Sequence, residues 1–166
     1  MKTSTSASIV LYNSNQIEIK RVIDDIFKTE QCVKLYLIDN SPTNVLGTLA
    51  KGNLKIEYIH CPQNPGFGAG HNIAISKALS NGAKYHFVVN PDIFFDEDVI
   101  SPMIDYMAND IQVGMMMPKI LNPDGTEQNL PKLLPSPLSI LWRKIKKPTL
   151  AYNNFINKYE LRQVPK

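Results

Sequence analysis

The pattern that most restricts the fold of this chain is a regular alternation of short apolar runs with segments of helical periodicity. Five apolar runs predict strands, at Ser6–Asn13, Val33–Asp39, Lys55–His60, Lys84–Val89 and Gln112–Leu121. Apolar residues at three- and four-residue spacing predict helices over Gln16–Thr29, Asn44–Lys51, Ala69–Asn81 and, capped by Asp96, up to Ala108. Such alternation is typical of an α/β fold with a doubly wound, mostly parallel sheet flanked by helices. After the last run, the turn sequence NPDG (Asn122–Gly125) predicts a hairpin in which TEQ returns.

Composition and charge narrow the class of protein. The chain has 166 residues, 43% of them hydrophobic and 20% charged, which suits a globular domain with a proper core. Eight Lys and Arg residues but one acid lie from Lys132 onward, a net charge of +7, so the rest of the +3 chain carries −4. We therefore expect an acidic domain over 1–131 and a basic, proline-punctuated segment over 132–166. This charge distribution is not that of a nucleic-acid-binding protein.

No apolar run reaches the roughly 20 residues of a membrane-spanning helix, and the first residues lack a signal-peptide pattern. These features predict a cytoplasmic protein. Cys32 precedes one predicted strand and Cys61 follows its parallel neighbour, which places them on the order of 15 Å apart. A disulfide needs Cα atoms within about 7 Å, so we expect free thiols.

Polar residues cluster where the predicted strands end. These ends are Tyr12-Asn13, Asp39-Asn40, the stretch Asn64–Asn72 and Asn90-Pro91-Asp92. Parallel sheets of this type bind ligands beyond the carboxyl ends of their strands, near a switch in strand order. The sequence therefore predicts a ligand site at this edge.

The stretch Asn64–Asn72 reads NPGFGAGHN and has glycine at every second position. A dinucleotide-binding Rossmann loop would follow the first strand with G-x-G-x-x-G, and a P-loop would end in Gly-Lys-Ser/Thr. Neither pattern is present. The glycines bring backbone close to a ligand, or they supply positive φ in a tight strand-to-helix turn.

Taken together, a strand ending in YN, a strand ending in IDNS, the loop NPGFGAGHN and a strand ending in VVNPDI resemble family 2 glycosyltransferases. The resemblance is to their sugar-nucleotide-binding half, in the rhamnosyltransferase-like branch, and covers about residues 6–130. It implies a GT-A type fold, a nucleotide-diphosphate sugar (dTDP-, UDP- or GDP-linked), Mg²⁺ or Mn²⁺, and inverting transfer to a glycan or lipid-linked acceptor in polysaccharide synthesis.

The resemblance assigns Asp39 to the nucleoside, and a carboxylate there can accept hydrogen bonds from a base N–H or a ribose hydroxyl. The alternative is that Asp39 caps the turn that follows it. Tyr12 and Asn13 pack on the base and bond to it, or they only end the first strand.

Asp92 is the expected metal ligand, because an acidic D-x-D-like motif in this fold holds Mg²⁺ or Mn²⁺ against the diphosphate. Hard oxygen ligands suit these ions. The motif reads Asn90-Pro91-Asp92 here, so an amide replaces one of the acids. The resemblance also implies that Asn90 contacts the donor sugar nucleotide. The alternative is a turn that caps the next helix.

The remaining donor-site residues implied by the resemblance belong to the glycine loop. They are Asn64, Gly66, Gly68, Gly70 and Asn72. Asn72 reaches the donor, or it and His71 are solvent-facing residues of the first helical turn. His60 and His86 lack metal-ligand spacing and receive no role. The run Met115–Met117 is expected in the core.

The family's general base is a carboxylate downstream of the hairpin, and no residue here is assigned to it. After Lys132 the one acid is Glu160. The segment Ile140–Lys144 is an amphipathic element that contacts either an acceptor half or an anionic membrane surface, and the alternative is a solvated basic helix. Three functions follow: a glycosyltransferase donor domain, a non-catalytic module that binds a sugar nucleotide or a partner, and a nucleotidyltransferase. The last would need a basic, glycine-rich loop after the first strand, where the chain reads YNSN.

Overall fold

The computed structural model describes residues 4–29, 31–128, 133–134, 137, 140–141, 144 and 149–160. Its described residues fall into two compact units, Met1–Met116 and Met117–Lys166. The strands are β1 (Thr5–Leu11), β2 (Cys32–Asp39), β3 (Ile56–His60) and β4 (Tyr85–Val89). The α-helices are α1 (Gln16–Ile26), α2 (Phe67–Ser80), α3 (Ile100–Asn109) and α4 (Thr149–Tyr159), with a 3₁₀ helix at Val45–Ala50. The predicted domain boundary at residue 131 stays a prediction.

The four strands form one sheet in the order β3-β2-β1-β4, and all three strand pairs are parallel. The chain runs outward from β1 through β2 to β3 and then crosses back, so that β4 lies on the other side of β1. The order of the strands therefore changes direction next to β1, the place where open α/β sheets bind ligands.

Helices cover both faces of the sheet because β1 and β2 bury alternate side chains on opposite sides. On one face, Ile9 and Leu37 belong to a core cluster with Ile19 of α1 and Ile104 of α3. On the other face, Val10, Tyr36 and Ile38 pack with Ala74 and Ala78 of α2. The predicted doubly wound α/β fold is confirmed.

The glycine loop has a different local structure from the predicted one, since α2 begins at Phe67 rather than Ala69. Gly66 precedes the helix with a φ of 92°, a conformation that only glycine adopts readily. Gly70 lies within the helix and packs on the sheet, where an added Cβ would stand 2.8 Å from Val10 Cγ2 and 3.5 Å from Ile38 Cγ2. The first glycine therefore makes the turn, and the third allows α2 to approach β1 and β2.

The predicted fifth strand and the predicted burial of the methionines are wrong. Residues 112–120 form no strand, and Leu121 makes only an isolated antiparallel bridge to Glu127. Met115 is 90% exposed and Met117 is 53% exposed. The apolar run has the composition of a strand, but strand pairing needs a neighbouring edge, and none of the described strands pairs with it.

Helix α3 is capped by Asp98, not by Asp96 as the sequence predicted. The Asp98 Oδ1 atom accepts the N–H groups of Ile100 and Ser101, both at 3.0 Å. A carboxylate two residues before the helix satisfies backbone donors of the first turn that the helix itself cannot. Asp98 is therefore the residue that fixes the start of α3.

In the second unit, the predicted hairpin forms around Asn122–Gly125, with Gln128 N–H donating to Ile120 O at 2.8 Å. Helix α4 also belongs to this unit, and the N–H of Leu133 donates to Tyr159 O at 2.9 Å. Of the predicted element at 140–144, Ile140, Leu141 and Lys144 are helical, while Trp142 and Arg143 lie outside the described residues.

No helix in the described part of the chain is long and apolar enough to cross a membrane. Cys61, buried directly after β3, is a free thiol, as predicted. Cys32 begins β2, and its side chain lies outside the described part.

Candidate functional site

The loops that follow the four strands meet at the carboxyl edge of the sheet, and we call residues 12–15, 40–44, 61–66 and 90–92 the carboxyl-edge loops. They come together because parallel strands in register end at the same edge, as the pairing of Leu11 with Asp39 and of Asp39 with His60 shows. In the described part of the chain, the two non-glycine residues with positive φ both lie here, Asn13 at 49° and Asn64 at 45°. Asparagine tolerates this left-handed conformation better than most residues.

Backbone and side-chain hydrogen bonds fasten these loops to one another. The Asn13 N–H donates to Ser41 Oγ at 2.8 Å, which joins the loop after β1 to the loop after β2. Asn40 is buried, and its Nδ2 donates to Gly66 O at 3.3 Å, which joins the loop after β2 to the start of α2. The Oδ1 atom of Asn40 is buried and has no hydrogen-bond partner among the described residues. Three of the four loops are therefore linked into one platform.

Asp39 is fully buried below this platform, with a fractional exposure of 0%. Its Oδ1 accepts the Ser41 N–H at 2.9 Å, and its Oδ2 accepts the Tyr58 hydroxyl at 2.6 Å. Burial and the bond to the Asp39 carboxylate raise the pKa of Tyr58 well above its ordinary value. The turn-capping role of Asp39 is thus observed, and its role towards a nucleoside stays a prediction.

The other predicted donor-site residues of the loops are open to solvent. Tyr12 is 55% exposed, and Asn13, Asn64 and Asn90 are exposed as well. Asn72 is also exposed, one turn into α2. These residues surround the carboxyl edge, where side chains can reach a bound molecule.

Asp92 is the exposed carboxylate of the Asn90-Pro91-Asp92 loop. Among the described residues, no group of three or more His, Cys, Asp or Glu side chains could hold a metal ion. Asp98 is not available, since it caps α3. One carboxylate with a neighbouring amide fits Mg²⁺ or Mn²⁺ only as an ion that also binds substrate phosphates and water, a mode that Mg²⁺ commonly uses.

Behind the carboxyl edge, four polar side chains form a hydrogen-bonded chain between α2 and the sheet. Ser8 Oγ lies 2.8 Å from His71 Nδ1 and 2.8 Å from His86 Nε2, and Ser6 Oγ lies 2.8 Å from His86 Nδ1. His71 is only 3% exposed, which corrects the interpretation of it as a solvent-facing residue. Its Nε2 is buried and has no hydrogen-bond partner in the part of the chain that the structure describes.

Burial lowers the pKa of both imidazoles, because a charged ring would lose its hydration. The pKa of His86 falls to about 4, first through burial and then through the charge that His71 would carry. We name Ser6, Ser8, His71 and His86 the serine–histidine chain.

The sequence did not point to several residues that shape this site. Asn40 was named only as part of a polar strand end, Ser41 and Tyr58 received no role of their own, and His86 was given no role. Ser6, Ser8 and His86 do carry a signal, because polar residues at alternate positions interrupt strands that are otherwise apolar. Which groups they contact follows only from the packing of α2.

Comparison with solved structures supports the fold. The chain is similar to the crystal structure of S. aureus TarS with a TM-score of 0.51 and 14% sequence identity, over 64% of this chain and 20% of that chain. At this identity the similarity concerns the fold alone, and this chain spans about a fifth of the length of TarS. No curated protein sequence matches the chain significantly.

The match to a family model is more extensive. Residues 6–161 match the model described as glycosyl transferase family 2, which is most of the chain. The protein therefore belongs to glycosyl transferase family 2. The family and the α/β fold predicted from the sequence are both confirmed, and the rhamnosyltransferase-like branch stays a prediction.

Proposed function

We propose that this chain binds a nucleotide-diphosphate sugar at its carboxyl-edge loops and supplies the donor side of an inverting glycosyl transfer. The observation that carries the proposal is the linkage of three of these loops into one platform, with exposed asparagines and Tyr12 around it. The donor sugar is dTDP-, UDP- or GDP-linked, and rhamnosyl transfer is the specific reaction suggested by the sequence resemblance.

Each polar group on the platform has a task that suits a nucleotide sugar. The exposed ring of Tyr12 offers an apolar face on which a base can pack. Amide side chains such as Asn64, Asn72 and Asn90 carry both donors and acceptors, so they can bond to ribose and sugar hydroxyls. Asp39 contributes indirectly, because its two bonds hold the loop after β2 in place.

Asp92 would hold Mg²⁺ or Mn²⁺ together with Asn90 and the diphosphate oxygens of the donor. A divalent ion there supplies positive charge that stabilises the departing nucleoside diphosphate. The contribution of this chain is a carboxylate at the end of β4, beside β1, where the order of the strands changes direction.

The acceptor is a glycan or a lipid-linked sugar, whose hydroxyl must lose a proton to a general base as it attacks. No residue of this chain is assigned to that role. The second candidate function is therefore a non-catalytic module that binds a sugar nucleotide or a partner protein, and the scarcity of acids after Lys132 favours it. Under either function, the basic segment contacts the inner face of a cell membrane.

Calorimetric titration tests donor binding. The full chain is titrated with UDP-, GDP- and dTDP-sugars, each with and without Mn²⁺, and the series is repeated with Asp92→Ala. We expect one nucleotide to bind in a metal-dependent manner and the metal dependence to be lost in Asp92→Ala. Asp105→Ala serves as a matched control, because Asp105 is an exposed carboxylate on α3.

Absence of binding under every condition would rule out the proposed function. Metal-dependent binding that survives in Asp92→Ala would show that another group holds the ion. Release or transfer of sugar with added acceptors then separates a transferase from a non-catalytic module.

A further inference from the structure

Ser8 stands at a junction between three segments of the site. It lies on β1, is fully buried, and its Oγ is 2.8 Å from a nitrogen of His71 on α2 and 2.8 Å from a nitrogen of His86 on β4. These are short distances for buried neutral groups, so both contacts are full hydrogen bonds. A single hydroxyl therefore connects one helix and two strands.

The one proton of this hydroxyl couples the two rings. Ser8 can donate to either His71 Nδ1 or His86 Nε2, and the other nitrogen must then donate its own N–H to Ser8 Oγ. If Ser8 donates to His71, both rings carry their proton on Nε2, and His86 Nδ1 accepts the Ser6 hydroxyl. If Ser8 donates to His86, both rings carry their proton on Nδ1. The neutral rings are thus required to adopt matching tautomers.

The junction also lies close, along the chain, to each exposed part of the proposed donor site. Ser8 is four residues before Tyr12, and His86 is four residues before Asn90, which corresponds to about 13 Å along a strand. His71 is directly followed by Asn72. Because Ser6 pairs with His86 and Ser8 with Val88, the two strands are in register at the junction.

We propose that Ser8 is a positioning residue for the nucleotide-sugar site: through His71 and His86 it holds α2 and β4 against β1 and so sets the positions of Asn72 and Asp92. This inference rests on the proposed function for its consequence in binding, but the coupling of the rings does not depend on it. The buried Nε2 of His71, which has no hydrogen-bond partner within the described ranges, is the open end of the serine–histidine chain. The tautomer set at Ser8 decides whether this atom is a donor or an acceptor.

The test compares four variants of the full chain. Ser8→Ala removes the hydroxyl, and the pair Ser8→Thr and Ser8→Val differs by the hydroxyl alone at nearly equal shape. Ser80→Ala is the matched control, since Ser80 lies on α2, the helix that carries His71, is exposed, and donates its hydroxyl to Ser76 O at 2.9 Å. In each ¹⁵N-labelled protein, nuclear magnetic resonance reports the ring nitrogens of His71 and His86 and the backbone amides of Asn72 and Asp92.

In the unsubstituted chain we expect both rings to show the same tautomer. Ser8→Ala and Ser8→Val should change the ring nitrogen shifts of both histidines, move the amide signals of Asn72 and Asp92, and weaken binding of the nucleotide found by calorimetry by about tenfold. Ser8→Thr and Ser80→Ala should retain the original ring tautomers and affinity. If Ser8 had a structural role alone, its substitution would lower the melting temperature, and changes in the ring tautomers would not be accompanied by changes in nucleotide affinity.

The inference is overturned if the two rings show opposite tautomers in the unsubstituted chain. It is also overturned if folded Ser8→Ala or Ser8→Val leaves the two amide signals unchanged or binds within about twofold of the unsubstituted chain. If no nucleotide binds the unsubstituted chain, the proposed function fails, and the ring and amide signals still decide whether Ser8 couples α2 to β4. Should Ser8→Ala not fold, the Thr and Val pair gives the same comparison.

Discussion

Gly70 and Gly68 lie two residues apart in α2, and alanine should affect them in opposite directions. A Cβ on Gly70 would stand 2.8 Å from Val10 Cγ2, closer than carbon atoms approach, and 3.2 Å from Val10 Cγ1, which is a tight contact. A Cβ on Gly68 would meet no atom of the described residues within 4 Å. The contrast separates a glycine needed for packing from one that the packing does not require.

The magnitude follows from two opposing effects. Alanine in place of glycine gains up to about 1 kcal/mol of helix propensity at either position. At Gly70 the new methyl group must push aside Val10, a β-branched and therefore stiff side chain, at a cost of about 1–3 kcal/mol. We expect Gly70→Ala to be less stable than Gly68→Ala by about 1–3 kcal/mol, since the propensity gain largely cancels in the comparison.

Urea denaturation followed by circular dichroism at 222 nm measures both free energies of unfolding. Val10→Ala supplies a further control, because it makes room for the methyl group. The double variant Val10→Ala, Gly70→Ala should be more stable than the sum of the single effects, by about 1 kcal/mol. Equal stability of Gly70→Ala and Gly68→Ala would refute the close packing of α2 on β1.

Two more predictions concern buried polar groups. Burial lowers the pKa of His86 from 6.5 to about 4. Between these two pH values the unfolded chain takes up a proton and the folded chain does not. The stability present above pH 6.5 is therefore lost as the pH falls towards 4, by up to about 3 kcal/mol. Urea denaturation from pH 7.5 to 4.5 should show a shallower loss in His86→Gln, and an unchanged slope would contradict the burial of His86 as a neutral ring. Tyr58→Phe should lower the free energy of unfolding by about 1.5–3 kcal/mol, because Asp39 Oδ2 loses its 2.6 Å hydrogen bond in a buried place. Tyr106→Phe, on an exposed ring, is the control and should change the stability by less than about 0.5 kcal/mol; equal effects of the two substitutions would contradict the importance of the Tyr58–Asp39 bond.

The elements of the first unit were predictable because their signals are local. The continuous apolar runs of β1 and β2, which are buried on both faces, and the three-and-four spacing in α1 come from which side chains face the core, so the sequence itself displays them. Boundaries moved by a few residues, and the earlier start of α2 depends on Gly66, whose positive φ cannot be read from its neighbours. The apolar run Gln112–Leu121 shows the limit, since strand composition does not supply a pairing partner.

The candidate site divides in the same way. Its outline was predictable, because polar residues after successive parallel strands must gather at one edge of the sheet. Its internal bonds were not. Three of these hydrogen bonds join residues that are 19 or more positions apart. They are the bonds of Tyr58 to Asp39, of Asn40 to Gly66 and of Ser8 to His71.

The sequence by itself thus determined the alternation of strands and helices, the family and the edge of the sheet at which the polar loops gather. Each of these depends on residue type and spacing along one segment. Only the tertiary structure decided that both carboxylate oxygens of Asp39 accept a hydrogen bond, that Gly70 is a packing contact and that His71 is buried against Ser8. Hydrogen bonding and close packing depend on distances between segments, and those distances are set when α2 docks on the sheet.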